Sequence, residues 1–283
     1  MSLLRHIRVC NAHDPGHFLP LVMGDARIGT VRRDNAALLK RFPAMFGVED
    51  ARVRLVASGT PERISAAVDT VIEALVQEGR VAKWRNEVFA VSAHWGDPPL
   101  FAIDRGAVSF FGIHAYGVHL NGWWREGERL MLWIGRRSPD KLVAPDKLDN
   151  LVAGGIGGGL GVWDTLVKEA EEEASIPPEL IRHAHAASAV SYRMAVKHGL
   201  RDDVLFIYDL ETPPGFRPVN YDGELAEFFP MAAREALERV RDTDDFKFNV
   251  NLVIIDFALR HGLVTAADAD YLALVAGLRQ GGE

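Results

Sequence analysis

The part of the chain with the clearest chemical potential is a short acidic segment, "KEAEEEA", in which glutamates recur at close spacing. On an α-helix each residue turns the side-chain direction by about 100°, so Glu169, Glu172 and Glu173 share one sector about 100° wide. Glu171 points to the other side, toward water. The spacing leaves two interpretations open: a solvated helix face, or a site for a hard divalent cation such as Mg²⁺ or Mn²⁺.

A glycine-rich segment, "GGIGGGLG", directly precedes the acidic residues. A dinucleotide-binding G-x-G-x-x-G pattern fails here, because Leu160 and Val162 stand where its last glycine is required. The phosphate-loop pattern fails as well, because no Lys-Ser or Lys-Thr pair follows the glycines. From the residues alone, a surface loop remains the default interpretation.

The elements around these segments alternate between helices and strands. The acidic residues are predicted on a helix that begins at Trp163–Asp164 and ends near Ala174, with an apolar stripe packed on a sheet. A β-hairpin is predicted over residues 115–138, with its turn at Arg125–Glu128. Helices are predicted between Thr60 and Gly79 and from Thr265 onward. Strands joined as hairpins favour an α+β fold over a parallel, doubly wound sheet.

The composition excludes several classes of protein. The chain has 283 residues, a formal net charge of −7 and one cysteine, Cys10. An acidic balance argues against nucleic-acid and anionic-membrane surfaces, and a single cysteine suits a reducing compartment. The first residues show no signal peptide and no apolar run reaches membrane-span length. The sequence therefore predicts a cytoplasmic protein with neither nucleic acid nor membrane as a partner.

Taken together, the glycine and the glutamates resemble the Nudix box, G-x5-E-x7-R-E-U-x-E-E-x-G-U, where U is a bulky aliphatic residue. The matching residues are Gly154, Glu169, Glu172, Glu173 and Ile176. The departing residues are Leu160, Lys168, Ala170 and Ser175, in place of glutamate, arginine, an aliphatic residue and glycine.

Further blocks over residues 112–278 resemble the Nudix branch found beside fungal thiamin pyrophosphokinases. They include "VLFIYDLE", "NYDGELAEF" and "FKFNVNLVIIDFALRHG". The resemblance implies a small N-terminal α+β domain, residues 1–112, followed by a Nudix α/β/α sandwich with a mixed sheet, residues 113–283. Lys247 and Asn249 of "FKFN" match the branch pattern, but the sequence suggests no role for them.

The resemblance also implies a set of site residues. Glu169, Glu172 and Glu173, with the main-chain carbonyl of Gly154, are expected to bind Mg²⁺ or Mn²⁺. Glu224 is expected to complete the site as a further ligand or as a base, with Glu227 as the second choice.

Other candidates rest on position alone. Arg136 and Arg137 end a strand and are expected to hold phosphate oxygens, unless they are ordinary surface arginines. His119, Asn121 and Trp123 are expected to line a substrate pocket, although core packing explains an aromatic residue equally well.

The function implied is Mg²⁺-dependent hydrolysis of a small-molecule diphosphate by a Nudix pyrophosphatase. The branch suggests thiamin diphosphate or its oxo and oxy forms, with release of the monophosphate and phosphate. The alternatives are a nucleoside- or coenzyme-diphosphate hydrolase and an inactive Nudix binding module. The assembly state is left open, with a homodimer as one alternative.

Overall fold

The protein was analysed as a computed structural model, which describes residues 1–81, 84, 86–221 and 223–281. Before residue 114 the elements are α1 (Leu4–Cys10), β1 (Phe18–Met23), β2 (Ala26–Arg32), α2 (Arg33–Leu39), β3 (Phe46–Val48), β4 (Val53–Leu55), α3 (Pro61–Gln77), β5 (Val88–Val91), β6 (Phe101–Asp104) and α4 (Val108–Phe111). The first four strands form a sheet in the order β2-β1-β4-β3, and β5 pairs with β6.

Helix α3 illustrates how the sequence specifies this part. Pro61 occupies the first turn, where its missing N–H costs no hydrogen bond, and the chain leaves the helix at Gly79, whose φ is 68°. The apolar residues between them fall on one face and are buried. They are Ile64, Val68, Val71, Ile72 and Leu75. The helix predicted between Thr60 and Gly79 is confirmed.

The second part of the chain is built on a seven-stranded mixed sheet. Its elements are β7 (His114–Glu126), β8 (Arg129–Arg137), β9 (Leu148–Asp149), β10 (Val152–Gly155), α5 (Val162–Ala174), α6 (Pro178–Ile181), β11 (His185–Val196), β12 (Gly199–Glu211), β13 (Leu225–Ala232), α7 (Ala233–Asp242), α8 (Val250–Arg260) and α9 (Tyr271–Gly277). The strand order is β11-β12-β7-β8-β13, with β10 on β7 and β9 on β8. In the described part of the chain, no helix combines the length and the apolar character of a membrane span.

The sheet divides along β7, because its first half pairs with β10 over residues 117–120 and its end pairs with β8 over residues 123–126. Val118 packs with Leu166 of α5 on one face of the sheet. Ile207 packs with α8 on the other face. The sheet therefore lies between two helical layers, and the predicted α+β fold with an α/β/α sandwich is confirmed.

Two predicted elements of this part had different outcomes. The hairpin over residues 115–138 is confirmed as β7 and β8, with Gly127 at φ 60° in the turn. The last helix begins at Tyr271, not at Thr265 as predicted. The Asp268 carboxylate accepts a hydrogen bond from the Thr265 N–H at 2.7 Å, which closes a turn where the helix was expected.

The two parts of the chain pack against each other. One buried cluster extends from Leu19 to Ile113 and belongs to the first part. Ile7 and Cys10 of α1, by contrast, are buried with α8 and α9 in the core of the second part. The division into domains 1–112 and 113–283 stays a prediction.

A buried carboxylate ties the sheet to helix α8. Asp209 on β12 is 1% exposed and accepts hydrogen bonds from Asn121 at 2.9 Å and from Arg260 at 3.1 Å. Burial alone would raise the pKa of Asp209, but hydrogen bonds from His261, Arg260 and Asn121 outweigh it and hold the pKa at about 2. Asn121 therefore contributes to a structural network.

Replacing Asp209 with asparagine should destabilise the protein at neutral pH and make its stability less sensitive to acid. The folded pKa of about 2 lies below the ordinary value of 3.8, so folding favours the ionised form. That stabilisation, about 2 kcal/mol, is present above about pH 4 and is lost as the pH falls through about 2. Urea unfolding of both proteins at neutral and acidic pH measures the difference. Equal losses of unfolding free energy at both pH values would contradict this account.

Candidate active site

Helix α5 carries its glutamates on a face that runs from exposed to buried. The side chain of Glu172 is 46% exposed and that of Glu169 is 18% exposed, whereas Glu173 is only 4% exposed. The apolar stripe beside them is fully buried, at Leu166, Ala170 and Ala174. The acidic sector is therefore not a uniformly solvated face.

Glu173 is the most deeply placed of the three. Its carboxylate accepts a hydrogen bond from the backbone N–H of Ala153 on β10, at 2.8 Å. Burial raises the pKa of Glu173 well above its usual range, and the bond from Ala153 only partly opposes that shift. The charges of Asp149, Glu169 and Glu224 raise it further. A cation beside this carboxylate would stabilise its ionised form.

Gly154 brings Glu169 against the same strand. A Cβ atom at position 154 would lie 2.3 Å from Cγ and 2.5 Å from Cδ of Glu169, so only glycine allows this approach. Burial raises the pKa of Glu169, and the neighbouring Lys168 opposes that shift. The structure thus brings Gly154, Glu169 and Glu173 together where α5 crosses β10.

Lys168 pairs with two of the carboxylates. Its Nζ lies 2.6 Å from Glu172 and 3.1 Å from Glu169. The hydrogen bond to Glu172 is the main reason that the pKa of Lys168 is raised. Lys168 therefore neutralises part of the mutual repulsion of these carboxylates.

The donor set fits a hard divalent cation in type. Carboxylate oxygens of Glu169 and Glu173 and the main-chain oxygen of Gly154 are the oxygen ligands that Mg²⁺ and Mn²⁺ prefer. In the arrangement of the described residues, no three His, Cys, Asp or Glu side chains converge as a complete ligand group. The exposed Glu172, held by Lys168, is the carboxylate that would have to turn inward.

The C-terminal end of α5 keeps its shape without the glycine of the box. Ser175 takes the left-handed conformation, with φ 50°, that usually favours glycine at this position. Its Oγ donates a hydrogen bond to the Val219 carbonyl at 2.9 Å. The departure at Ser175 therefore leaves the helix end intact.

Glu224 lies close to the box helix, just before β13. Its charge raises the pKa of both Glu169 and Glu173. Its carboxylate forms an ion pair with Lys141 and is 44% exposed. Glu227 instead pairs with Arg136 on β8, at 2.7 Å. Of the two candidates, Glu224 is the one whose charge acts on the box glutamates, and its role in the site stays a prediction.

The two neighbouring arginines lie in different environments. Arg136 is half-exposed and forms an ion pair with Glu227. Arg137 is buried, contacts Asp149 at 2.7 Å and donates to the carbonyls of Val143 and Ala144. Arg137 therefore holds the loop after β8, and phosphate binding by either arginine stays a prediction.

Lys247 forms an ion pair with Asp149 of β9. Its Nζ lies 3.4 Å from Asp149, and its side chain is 14% exposed. Burial lowers the pKa of Lys247, and the charges of Asp149 and Glu173 oppose that shift. Lys247 is thus a largely buried amine near Glu173.

Lys247 also lines a cavity of about 470 Å³ that lies between the two parts of the chain. Ala153, Gly154 and His119 form the side of this cavity next to the box, and Phe89 and Val108 belong to the first part. Among the described lining residues, the cationic ones are Arg105, Lys197, Arg201 and Lys247, and the acidic one is Asp203. The lining therefore suits an anionic ligand.

His119 is neutral at this position. Burial, followed by the charge of Lys247, lowers the pKa of His119 to about 4. Its Nδ1 lies 2.8 Å from Oδ1 of Asn150, which can only accept, so Nδ1 carries the proton and Nε2 is an acceptor. A neutral His119 adds no charge to the cavity.

The glycine-rich segment is held by the first part of the chain. Gly158 donates its N–H to the Val88 carbonyl of β5 at 2.6 Å. A Cβ atom at Gly155 would lie 2.8 Å from Cζ of Phe89. The glycines therefore let β5 approach the loop, which differs from the surface loop that the residues alone suggest.

Two predicted pocket residues lie elsewhere. Asn121 donates a hydrogen bond to Asp209, and Trp123 packs edge-on against His261, with ring centroids 5.4 Å apart. Their role in substrate binding stays a prediction. Conversely, Asn249 lines the cavity, and only its place in the "FKFN" block marked it in the sequence.

Comparison with known proteins gives two relatives over almost the whole chain. Nudix hydrolase 24, chloroplastic, of Arabidopsis thaliana is 38% identical over 269 residues, which cover 94% of this chain and 74% of that protein. Nudix hydrolase 20, chloroplastic, of the same plant is 37% identical over 274 residues, or 93% of this chain and 73% of that protein. Both names describe chloroplast proteins, so the predicted cytoplasmic location is wrong. The single cysteine indicates reducing conditions but does not identify the compartment.

Further similarities cover about half of the chain or less. Residues 2–115 match a family model described as "Domain of unknown function (DUF4743)". The solved structure of the Nudix domain of Shewanella oneidensis NrtR complexed with ADP ribose is 13% identical, covering 54% of this chain and 91% of that chain, with a TM-score of 0.38.

Proposed function

Because this chain belongs to the Nudix hydrolase family, whose members cleave diphosphates with divalent metal cations, we propose that it hydrolyses a small organic diphosphate with Mg²⁺ or Mn²⁺. The observation that carries the proposal is the meeting of Glu169, Glu173 and Gly154 at β10, beside the cavity. Two carboxylates held in a partly dry environment favour a cation, and the cavity provides space for a substrate.

In this proposal Glu169, Glu172, Glu173 and the Gly154 carbonyl hold the cation. When bound, the cation supplies Lewis acidity toward the diphosphate and acidifies the attacking water. Lys168 positions Glu169 through a contact of 3.1 Å, and Glu172 would leave its 2.6 Å contact with Lys168 to reach the cation. Glu224 accepts the proton of the attacking water, since its carboxylate is accessible and lies close to the box.

The cationic lining binds the charged part of the substrate. Lys247 lies near Glu173 and also lines the cavity, so it can contact a phosphate oxygen on the side away from α5. His119 is neutral and excludes water at the box side of the cavity without adding charge.

For the substrate, the branch resemblance favours thiamin diphosphate or its oxo and oxy forms. Hydrolysis would release the monophosphate and inorganic phosphate. The aromatic rings of Phe89, Tyr116 and Phe248 in the cavity lining are compatible with a heterocyclic group on the diphosphate.

Phosphate release from a panel of compounds tests the proposal. The panel contains thiamin diphosphate, its oxo and oxy forms, nucleoside di- and triphosphates, ADP-ribose and NADH, each with Mg²⁺ and with Mn²⁺. We expect selective turnover of the thiamin compounds, with monophosphate as the second product. Turnover of nucleotides alone would replace the substrate assignment. No turnover of any compound, although metal binds, would contradict the proposed activity.

A further inference from the structure

The cavity between the two parts of the chain extends well beyond the box. Residues of the first part, such as Phe89 and Ser109, line it together with Met194 and Leu205 of the sheet. A volume of about 470 Å³ lies in the range of cavities that enclose a small organic molecule. The cavity therefore has room for more than the diphosphate.

Asn249 presents an unused hydrogen-bond acceptor in this cavity. The residue is 5% exposed, and its Oδ1 has no hydrogen-bond partner among the described residues. It directly precedes α8, where an asparagine usually caps the helix, yet no cap bond from this side chain is found in the described structure. A buried carbonyl oxygen without a donor is costly, so a ligand that donates a hydrogen bond to it would be stabilised.

Two other polar residues of the cavity, Asp203 and Arg201, already have partners. Asp203 accepts a hydrogen bond from the Tyr192 hydroxyl at 2.5 Å and pairs with Arg201 at 3.4 Å. Arg201 in turn lies over the ring of Phe248, 5.3 Å from its centroid. Next to these aromatic walls, Oδ1 of Asn249 is an acceptor without a donor among the described residues, and Nε2 of His119 is a second acceptor at the box side of the cavity.

We propose that the organic group of the diphosphate substrate binds in this cavity, where a ring N–H or amino group donates a hydrogen bond to Oδ1 of Asn249. The ligand class is a planar nitrogen heterocycle linked to a diphosphate. Aromatic side chains contact its faces, and Lys247 contacts the phosphate end. Asn249 accepts the hydrogen bond from the ring N–H or amino group. This inference rests on the proposed function and adds the basis of its substrate selectivity.

The variant Asn249→Leu tests the contact, because leucine keeps the branched shape of the side chain and removes the acceptor. With thiamin diphosphate, which carries an aminopyrimidine, kcat/KM should fall on the order of 10- to 100-fold. With methyl diphosphate, which has no ring, kcat/KM should stay close to that of the wild type. Equal loss on both compounds, or no loss on either, would overturn the inference.

Asn251→Leu is the matched control. Asn251 lies on the same helix, is 2% exposed and also has an Oδ1 without a partner in the described structure, but it does not line the cavity. Both variants lose a buried amide, so thermal unfolding should change by similar amounts. Only Asn249→Leu should change kcat/KM for the ring-bearing compound. If Asn251→Leu lowers kcat/KM for the ring-bearing compound by a similar factor, the loss in Asn249→Leu comes from reduced stability and the inference is overturned.

Binding without turnover separates this inference from the proposed activity. Calorimetry with thiamin monophosphate, AMP and UMP, in the presence of a chelator, measures occupancy of the cavity when no diphosphate is cleaved. At least one should bind the wild type, and Asn249→Leu should weaken that binding by about tenfold or more. Ser109→Phe, which fills the cavity from the first part of the chain, should weaken it as well. If none of the three binds, or if both variants bind like the wild type, the inference is overturned.

Discussion

Glu173→Gln is expected to reduce kcat on the order of 10³-fold, because the amide cannot supply the charge that a divalent cation requires, a loss of several kcal/mol in transition-state stabilisation. The glutamine has the same size, and its side-chain oxygen can still accept the hydrogen bond from Ala153. It also removes a carboxylate whose pKa is raised by burial. The free energy of unfolding should therefore stay within about 1 kcal/mol of the wild type or increase.

Steady-state kinetics with Mg²⁺, urea unfolding and metal titration measure the three quantities separately. Glu171→Gln is the matched control, because Glu171 lies on the exposed side of the same helix and should change none of them. If Glu173→Gln keeps full activity, this glutamate is not part of the metal site. Loss of activity together with unfolding would leave only a structural role for it.

Glu173 also shows what helical spacing can and cannot predict. The spacing placed Glu169, Glu172 and Glu173 in one sector, and α5 has that register. It did not predict that Glu173 is 4% exposed, because the depth of a side chain depends on the strand that passes over it. Here that strand is β10, which comes before the helix in the chain and pairs with β7.

A similar limit applies to the pocket residues on β7. His119, Asn121 and Trp123, which the sequence predicts to line one pocket, alternate along β7 and therefore share one face of the strand. Only His119 lines the cavity, because the sheet divides where β7 changes partner from β10 to β8. The partners of a strand are long-range contacts, and alternation within one strand contains no information on them.

The residues that sequence reasoning missed come from distant segments. Lys247 and Asn249 lie far along the chain from the box, and their types are common on protein surfaces. Their burial in the cavity depends on how α8 packs across the sheet. The family resemblance singled out both positions, but a role followed only when the structure placed them beside the box and the first part of the chain.

The glycines at the end of β10 and in the loop after it look alike in the sequence but differ in what they allow, and this leads to the second large effect. Gly154→Ala should lower activity on the order of 10²-fold, because a Cβ atom 2.3 Å from Cγ of Glu169 forces that carboxylate out of place. The backbone at Gly154 has no positive φ, so the substitution itself introduces no backbone strain. Its effect should therefore appear in kcat and in metal affinity, with a smaller loss of about 1–3 kcal/mol in unfolding free energy from the overpacking.

Gly157→Ala is the control that isolates this contact. A Cβ atom there would meet only the Val88 carbonyl oxygen, at 3.7 Å, which is an ordinary van der Waals distance. Its kinetics and metal affinity should match those of the wild type. If both alanine variants lose activity equally, the loop as a whole requires glycine, and the close approach of Glu169 to β10 is not what fixes the site. If Gly154→Ala alone loses activity and metal affinity, the position of Glu169 against β10 is what the glycine preserves.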